Sequence, residues 1–503
     1  MARGYEDALE KLALLQSNRI ITSLFEAPEK KTSQDLDEVV IPEKKTSQDL
    51  NEVVIPEKKT PQDLNAAAIP EMMAWLRRAG YTPQDLARMR HIHVAGTKGK
   101  GSTCAYATDM LAKYRTVGTY TSPHLVNVRE RIAINGVAVS RDVFTAAFFE
   151  IWDRLTEAAV KDGMAAVDAE GAASKPFYFR FLTIVAWHVF LKQGIEDVVI
   201  ECGIGGEYDS TNVLPAEAVS AAVVTQLGID HVAMLGDTVE KIAWHKAGIL
   251  KPGVKGFTMK LRDQPGVMDV LRKRTAEKNA ELVEVEDDDV ERWGGVSGIL
   301  KGDFQKRNQA LAVMAVREHL GMGQGKLEDI PQKMVEGLQE AKLRGRCEVV
   351  NDGGAEWLLD GAHTKDSLEE VAKWSVQSHL GSDESLILIF NQQERNITQL
   401  LGGFVETAKR EAGREDVFQH ALFTRNELAK PADGEERDVL VQEQAADKMR
   451  NLVPGCDVKI FDNTLDAVAE ARRLARGQDE SRKKVLVTGS LHLVGSILQV
   501  LEP

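Results

Sequence analysis

Two rhythms of apolar residues alternate along most of the chain. Short apolar runs bounded by turn residues read as buried strands: His91–Ala95, Asp197–Glu201, Ala221–Gln226, Trp357–Asp360, Leu386–Phe390, Ala421–Thr424 and Lys484–Thr488. Longer stretches with apolar residues three and four apart read as helices, as in Thr103–Tyr114, Arg180–Leu191 and Lys306–His319. This alternation predicts parallel sheets and an α/β fold. Leu9, Leu12 and Leu15 predict a further helix over Tyr5–Gln16, packed on the main body. The pattern changes at Leu343-Arg344-Gly345-Arg346, where we place a domain junction. Residues 1–343 then form a first domain and 344–503 a second α/β unit, since 503 residues exceed what one core serves.

One tract breaks the pattern. PEKKTSQDLDEVV from Pro28 returns as PEKKTSQDLNEVV from Pro42 and PEKKTPQDLNAAA from Pro56, a period of 14 residues. The units are too short and too charged for a solenoid. Each carries a Pro stop and a Thr-x-x-Asp helix start. We read the tract, about 28–69, as an exposed tandem insertion without chemistry.

Composition narrows the class. The chain is 43% hydrophobic and 28% charged, ordinary for a globular protein, with a formal net charge of −14. An acidic chain disfavours nucleic acid and anionic membranes as partners. Cys104, Cys202, Cys347 and Cys456 lie far apart, which suggests neither a zinc site nor a disulfide framework. There is no apolar run long enough to span a bilayer and no signal-peptide pattern, so the expectation is a cytoplasmic protein, with a mitochondrial form from an alternative start as a variant.

The strongest chemical signal is Ile92–Tyr106, IHVAGTKGKGSTCAY. A strand runs into Gly96-Thr97-Lys98-Gly99-Lys100-Gly101-Ser102 and then into a helix. Glycines let backbone amides approach phosphate oxygens, and a helix N-terminus adds partial positive charge. Lys100 is placed to reach phosphates, and Ser102 to meet phosphate or Mg2+. The string departs from the usual phosphate-loop spacing by an extra glycine, GKGS. Other polar residues follow strand ends, where ligands gather in α/β sheets: Ser122 in Thr121-Ser122-Pro123-His124, Glu201, and Asp230-His231. Each alone reads as a cap or structural residue; beside one phosphate loop they read as an oxygen- and imidazole-rich metal site. The second unit offers Asp360-Gly361-Ala362-His363 and Gly489-Ser490-Leu491-His492, with Arg346 near the junction.

These strings together resemble the folylpolyglutamate synthase family of the Mur-ligase superfamily. GTKGKGST, TSPHLVNVRERIAING, FRFLT, ECGIGGEYDSTN, GIDH, HKAGILKPG, LRGR, LDGAH and VTGSLHLVG occur in order from Glu71 onward. The GGEYDSTN form, with Glu207 where many relatives have Arg, is similar to fungal members and puts any role of that Arg in doubt. The resemblance implies a two-domain Mur-ligase-like architecture, a P-loop ATPase domain plus a Rossmann-like C-terminal domain. It implies ATP and Mg2+ as cofactors, with a monovalent cation such as K+ as a further candidate, and reduced folate, L-glutamate and ATP as partners of a monomer. Gly99, Lys100, Gly101 and Ser102 are then ATP-phosphate residues. Gln305, Asn308, Arg346 and Asp360 match other nucleotide-binding positions, and Ser122, Glu201 and His231 the metal ligands. Lys246, an ordinary surface lysine on its own, matches a lysine carbamylated in relatives. His363 and Ser490 lie where relatives approach the incoming glutamate, and His363 is a candidate catalytic group beside Lys100 and Lys246.

The implied reaction adds L-glutamate to the γ-carboxylate of tetrahydrofolate and its polyglutamates through an acyl phosphate, with cations offsetting charge on the transferring phosphoryl. Two alternatives stay open at this point. A dihydrofolate synthase, or a bifunctional enzyme, shares the fold and differs in its acceptor. A non-ligating nucleotide switch would need the first domain alone and leaves Arg346, Asp360 and His363 without a task.

Overall fold

The computed structural model describes residues 3–15, 61–323, 325–382, 384–393, 396–430, 437–476 and 484–502. The repeats from Pro28 to Thr60 lie outside these residues. The chain forms two compact units: residues 1–122, 131–294 and 307–334 in one, and 123–130, 295–306 and 335–503 in the other.

The first unit is built on an eight-stranded sheet in the order β4-β3-β2-β5-β1-β6-β7-β8. Its strands are β1 (Arg90–Ala95), β2 (Val117–Tyr120), β3 (Ile132–Ile134), β4 (Val137–Ala138), β5 (Asp197–Glu201), β6 (Val219–Val224), β7 (Lys255–Met259) and β8 (Glu281–Val285). β2 and β5–β8 run parallel with β1, and β3 and β4 close one edge as antiparallel strands. β5 is buried at every position, because a central strand covered on both faces has no side for water. The helix Tyr178–Lys192 is buried from Phe179 to Phe190. Being enclosed on all sides, it is apolar around most of its circumference rather than along one stripe, with Arg180, Thr183 and His188 its buried polar residues. Trp152 stacks on Phe148 at 5.6 Å, and Phe181 meets both rings. The N-terminal helix covers Tyr5–Ala13 and buries Ala8 and Leu12.

The repeat reading needs one correction. The third repeat does not stay outside the fold: its residues from Pro61 open the helix Pro61–Arg78. Ala68 is buried, and its carbonyl accepts from Arg180 Nη2 at 3.3 Å. Three alanines, Ala66–Ala68, stand where the earlier copies have Glu-Val-Val. Ala is the best helix former and small enough to let the helix seat.

The second unit holds six strands in the order β13-β12-β11-β14-β10-β9. They are β9 (Glu348–Asp352), β10 (Ala355–Leu359), β11 (Leu386–Phe390), β12 (Phe418–Thr424), β13 (Asp457–Phe461) and β14 (Lys484–Thr488). All neighbours pair parallel except β9, which is antiparallel to β10. Strand alternation divides the core in two. Leu386, Leu388 and Phe390 enter one cluster with Phe404 and Met449; Ile387 and Ile389 enter the other with Trp357 and Ile497. The short segment 123–130 folds with this unit. The Glu130 carboxylate accepts from the amides of Leu125 (2.8 Å), Val126 (3.1 Å) and Asn127 (2.7 Å). Leu125 packs on the second cluster. Gly495 has to be glycine there, since a Cβ would fall 2.1 Å from the Leu125 carbonyl oxygen. Among the described residues, no helix is long and apolar enough to cross a membrane, and the four cysteines form no disulfide.

Candidate active site

β2, β5, β1 and β6 are neighbours in the first sheet, so the turns leaving their carboxyl ends lie side by side. The turn after β1 is the glycine-rich loop, which enters the helix Lys100–Ala112 through Gly99 in a left-handed conformation. Thr225, just past β6, locks the loop from one side. Its Oγ1 donates to the Lys98 carbonyl at 2.7 Å, and a Cβ on Gly96 would fall 1.7 Å from it. Asn308 presses from the other side: a Cβ on Gly99 would fall 2.3 Å from its Oδ1. The amides of Thr97 and Lys98 both donate to the Gln226 carbonyl, at 2.9 and 3.2 Å. The N-cap residue Gly99 has no side chain to cap the helix, and a helix N-terminus of this kind favours an anion.

Two amino groups converge on one atom of this loop. Lys100 Nζ donates to the Gly96 carbonyl at 3.1 Å, and Lys246 Nζ donates to the same oxygen at 2.7 Å. Lys246 is not a surface lysine; it is 2% exposed at the end of the helix Val239–Lys246. Burial, helped by the neighbouring Lys100 charge, lowers its pKa from 10.5 to about 7. Glu201, buried at the end of β5, places Oε1 3.9 Å from Lys100 Nζ, and its Oε2 accepts from the Ser122 amide at 3.0 Å. Ser122 and Glu201 are thus joined. His231 sits on the turn after β6 with φ 48°, its amide on Asp230 Oδ1 at 2.9 Å and its Nε2 3.9 Å from Asp230 Oδ2. Among the described residues, no three His, Cys, Asp or Glu side chains gather as a metal-holding group. A buried carboxylate beside a serine still presents hard oxygen donors, the set a divalent cation such as Mg2+ takes with phosphate oxygens.

The loop after Glu201 is shaped by a residue the sequence did not single out. Asp209 is buried and accepts from the amides of Gly203 (2.9 Å), Ile204 (3.1 Å) and Thr211 (2.9 Å). Burial raises its pKa, and these donors oppose the rise. Thr211 Oγ1 in turn lies 2.8 Å from His93 Nε2, which also meets Cys202 Sγ at 3.1 Å. Glu207 has its own counter-charges, Arg274 Nη2 at 2.5 Å and Lys278 Nζ at 3.0 Å. An arginine at this position would face two cations. Aspartate three residues after a glycine pair is too common a pattern to be found by spacing alone.

In the second unit, Asp360 follows β10 and is buried. Its carboxylate accepts from the amides of Cys347 and Ala362, each at 2.8 Å. Burial raises its pKa against the pull of Arg346. The Cys347 backbone has φ 45°, a conformation that this carboxylate clamp supports. Arg346 Nη1 rests 3.4 Å from the Gly345 carbonyl. His363 Nδ1 lies 3.0 Å from the Gly361 carbonyl; since a carbonyl only accepts, Nδ1 carries the proton. Ser490 caps the helix Leu491–Leu501, accepting from the amides of His492 and Leu493. Gln305, the first residue of the helix Gln305–His319, is buried and grouped with the second unit, whereas Asn308 on the same helix belongs to the first.

No family model matches the chain. The chain is 38% identical over 459 residues to a folylpolyglutamate synthase of Neurospora crassa, covering 86% of this chain and 85% of that one. It is 36% identical over 450 residues to one of Saccharomyces cerevisiae, covering 86% and 80%. Among solved structures it is similar to a Mycobacterium tuberculosis folylpolyglutamate synthase complexed with ADP and AMPPCP, with a TM-score of 0.68, 24% identity, and 87% and 96% coverage. It is also similar to Escherichia coli FolC in complex with ADP, with a TM-score of 0.61, 22% identity, and 87% and 98% coverage. The fold is accordingly the two-domain, Mur-ligase-like α/β architecture.

Proposed function

The chain belongs to the folylpolyglutamate synthase family, and from that premise we propose how its own residues perform the ATP-dependent addition of L-glutamate to folate. The acceptor is the γ-carboxylate of tetrahydrofolate or of its polyglutamates. That carboxylate is a poor electrophile, because its leaving group would be oxide-like. It attacks the γ-phosphorus of ATP, ADP leaves, and an acyl phosphate results. The amine of glutamate then attacks the acyl carbon, and the tetrahedral intermediate collapses to amide and inorganic phosphate.

The observation that carries this reading is the convergence of Lys100 and Lys246 on the Gly96 carbonyl beside the uncapped helix. The loop amides of Gly99, Gly101 and Ser102 cradle phosphates, and Lys100 offsets the charge that builds on the transferring phosphoryl. Asn308, against Gly99, fixes the loop and faces the nucleotide. Ser122 and Glu201 would hold Mg2+, with His231 the third candidate; the ion supplies Lewis-acid neutralisation of phosphate charge. Burial and the Lys100 charge lower the Lys246 pKa, which favours the neutral amine, the form that combines with carbon dioxide. A carbamate there would turn a cation into an anionic oxygen donor. On the second unit, Gln305, Arg346 and Asp360 serve the nucleotide, Asp360 by fixing the Cys347 and Ala362 backbone. His363 and Ser490 receive the incoming glutamate.

The test is mass spectrometry of tetrahydrofolate incubated with enzyme, ATP, Mg2+ and glutamate, run beside dihydropteroate. Successive glutamyl additions to tetrahydrofolate alone are expected. Growth of dihydropteroate as well would make the enzyme bifunctional, and growth of dihydropteroate alone would overturn the acceptor assignment.

A further inference from the structure

Within the second unit, β11, β14 and β10 are adjacent, so three turns meet at their carboxyl ends. The turn after β10 carries His363, the turn after β14 carries Ser490, and the turn after β11 carries Asn391 and Gln392. The first two turns are assigned to glutamate above; the third has no role so far. Gln392 is 4% exposed, yet it is a polar amide. Its Nε2 donates to the Gly489 carbonyl at 3.0 Å and lies 3.5 Å from the His363 carbonyl. An amide NH2 has two hydrogens, so one side chain spans both carbonyls.

The backbone beneath Gln392 is itself fixed. Asn391 is fully buried; its Oδ1 accepts from Gln442 Nε2 at 2.8 Å, and its Nδ2 donates to Asn426 Oδ1 at 2.8 Å. Its carbonyl oxygen would lie 2.3 Å from a Cβ on Gly489, whose φ is 103°. The turns after β11 and β14 therefore interlock through a glycine that no other residue replaces without displacement. All these groups are neutral, so they set the spacing of the turns without adding charge beside an anionic amino acid.

We propose that Gln392 is a positioning residue for glutamate binding, tying the turn that carries His363 to the turn that carries Ser490. This rests on the assignment of those two residues to glutamate. Gln392 does not touch the substrate; it holds the two turns at the separation that one glutamate spans. Losing a buried amide donor that serves two carbonyls leaves both without their partner and lets the turns drift.

The experiment is steady-state kinetics of the full chain as wild type, Gln392→Met, His363→Ala and the double variant, with glutamate and ATP titrated separately and thermal midpoints recorded. Gln392→Met keeps the length of the side chain and removes the donors. It is expected to raise KM for glutamate about tenfold while KM for ATP stays within about twofold. The double variant is expected to be worse than His363→Ala alone but by less than the product of the two single effects, because Gln392 acts partly through the His363 turn and partly through the Ser490 turn. An unchanged KM for glutamate in Gln392→Met, with His363→Ala impaired, overturns the proposal and leaves the glutamate assignment standing. Equal rises in both KM values alongside a lowered midpoint also overturn it, as the mark of a merely structural residue. If His363→Ala itself leaves KM for glutamate unchanged, the assignment and the proposal fall together. Should Gln392→Met not fold, Gly489→Ala strains the same interlock from the other side, and the same glutamate-selective rise is expected.

Discussion

At the amino ends of β5, β6 and β1 stand Asp197, Ser220 and Arg90; at the carboxyl ends of the same strands stand Glu201, Thr225 and the phosphate loop. Both groups are rich in buried polar atoms, and both contain groups with shifted protonation. At the amino ends, Asp197 Oδ1 meets His319 Nε2 at 2.8 Å and Arg90 Nη2 at 3.1 Å, while His319 Nδ1 lies 2.6 Å from Ser220 Oγ. This is an acid–imidazole–hydroxyl chain in the order a hydrolase would use. Every member nevertheless has its partner within the protein. Burial lowers the pKa of His319 against the upward pull of the Asp197 hydrogen bond; for Asp197, burial acts upward but the His319 and Arg90 interactions win and hold it at about 2. At the carboxyl ends, two amino groups crowd one carbonyl oxygen next to a helix N-terminus without a side-chain cap. The first cluster is complete as folded, whereas the second is arranged for an anion. Burial and perturbed protonation do not by themselves mark a site; the direction of the donors does.

That contrast can be broken by substitution. Lys100→Met is expected to lower turnover by on the order of 10² or more, with the thermal midpoint close to wild type. Normal ligation by this variant would remove the phosphate-loop assignment. Asp197→Ala should do the reverse. It strips the partner from His319 and Arg90, and chemical denaturation should show a loss of about 2 kcal/mol, with kcat per folded molecule unchanged. A catalytic defect without a stability defect would erase the distinction between the two ends. Glu201→Gln should raise the Mg2+ concentration for half-maximal rate about tenfold; an unaltered metal titration would remove Glu201 from the ligand set.

A pH titration sharpens the same comparison. The folded pKa of Asp197, about 2, lies below its ordinary 3.8, so the unfolded chain binds more protons between those values. Its contribution, roughly 2 kcal/mol, is complete above about pH 4 and is lost as the pH falls through 2. Denaturation curves of Asp197→Asn should therefore have a flatter acid limb than wild type. The smallest effect is expected from deleting Pro28 to Ile55, two whole repeats, where turnover should stay within about twofold; a large loss would make the tract functional.

The sequence announces the central strands, because β11 is apolar throughout and β5 and β14 keep the unbroken apolar centres Val198–Ile200 and Val485–Val487, covered on both faces. β8 and β13 escape such a reading. Their runs, ELVEV and DVKIF, carry charges and are only partly buried, so the apolar signal is diluted. The glycine-rich loop is legible for a different reason: its conformation depends on residue types that stand out. Thr225 and Asn308, which lock that loop, and Asp209, which shapes the next one, act from far along the chain as single ordinary residues, and only the folded register brings them near. Lys246 is the sharpest case. Nothing local distinguishes it from a surface lysine, and it owes its burial to helix packing.

The arrangement of the two sheets has a consequence for the enzyme as a solute. A sheet that ends in a long bare strand offers its hydrogen bonds to other molecules and invites ribbon-like association. Here the outer strands are guarded. β4 is two residues long; Glu284 on β8 is gripped by Arg272 at 2.7 and 2.8 Å; Lys459 on β13 is paired with Glu470 at 2.6 Å. An incoming strand would have to displace charge at each. β9 is guarded in the same way, Glu348 by Arg344 and Asp352 by Arg472, each at 2.6 Å.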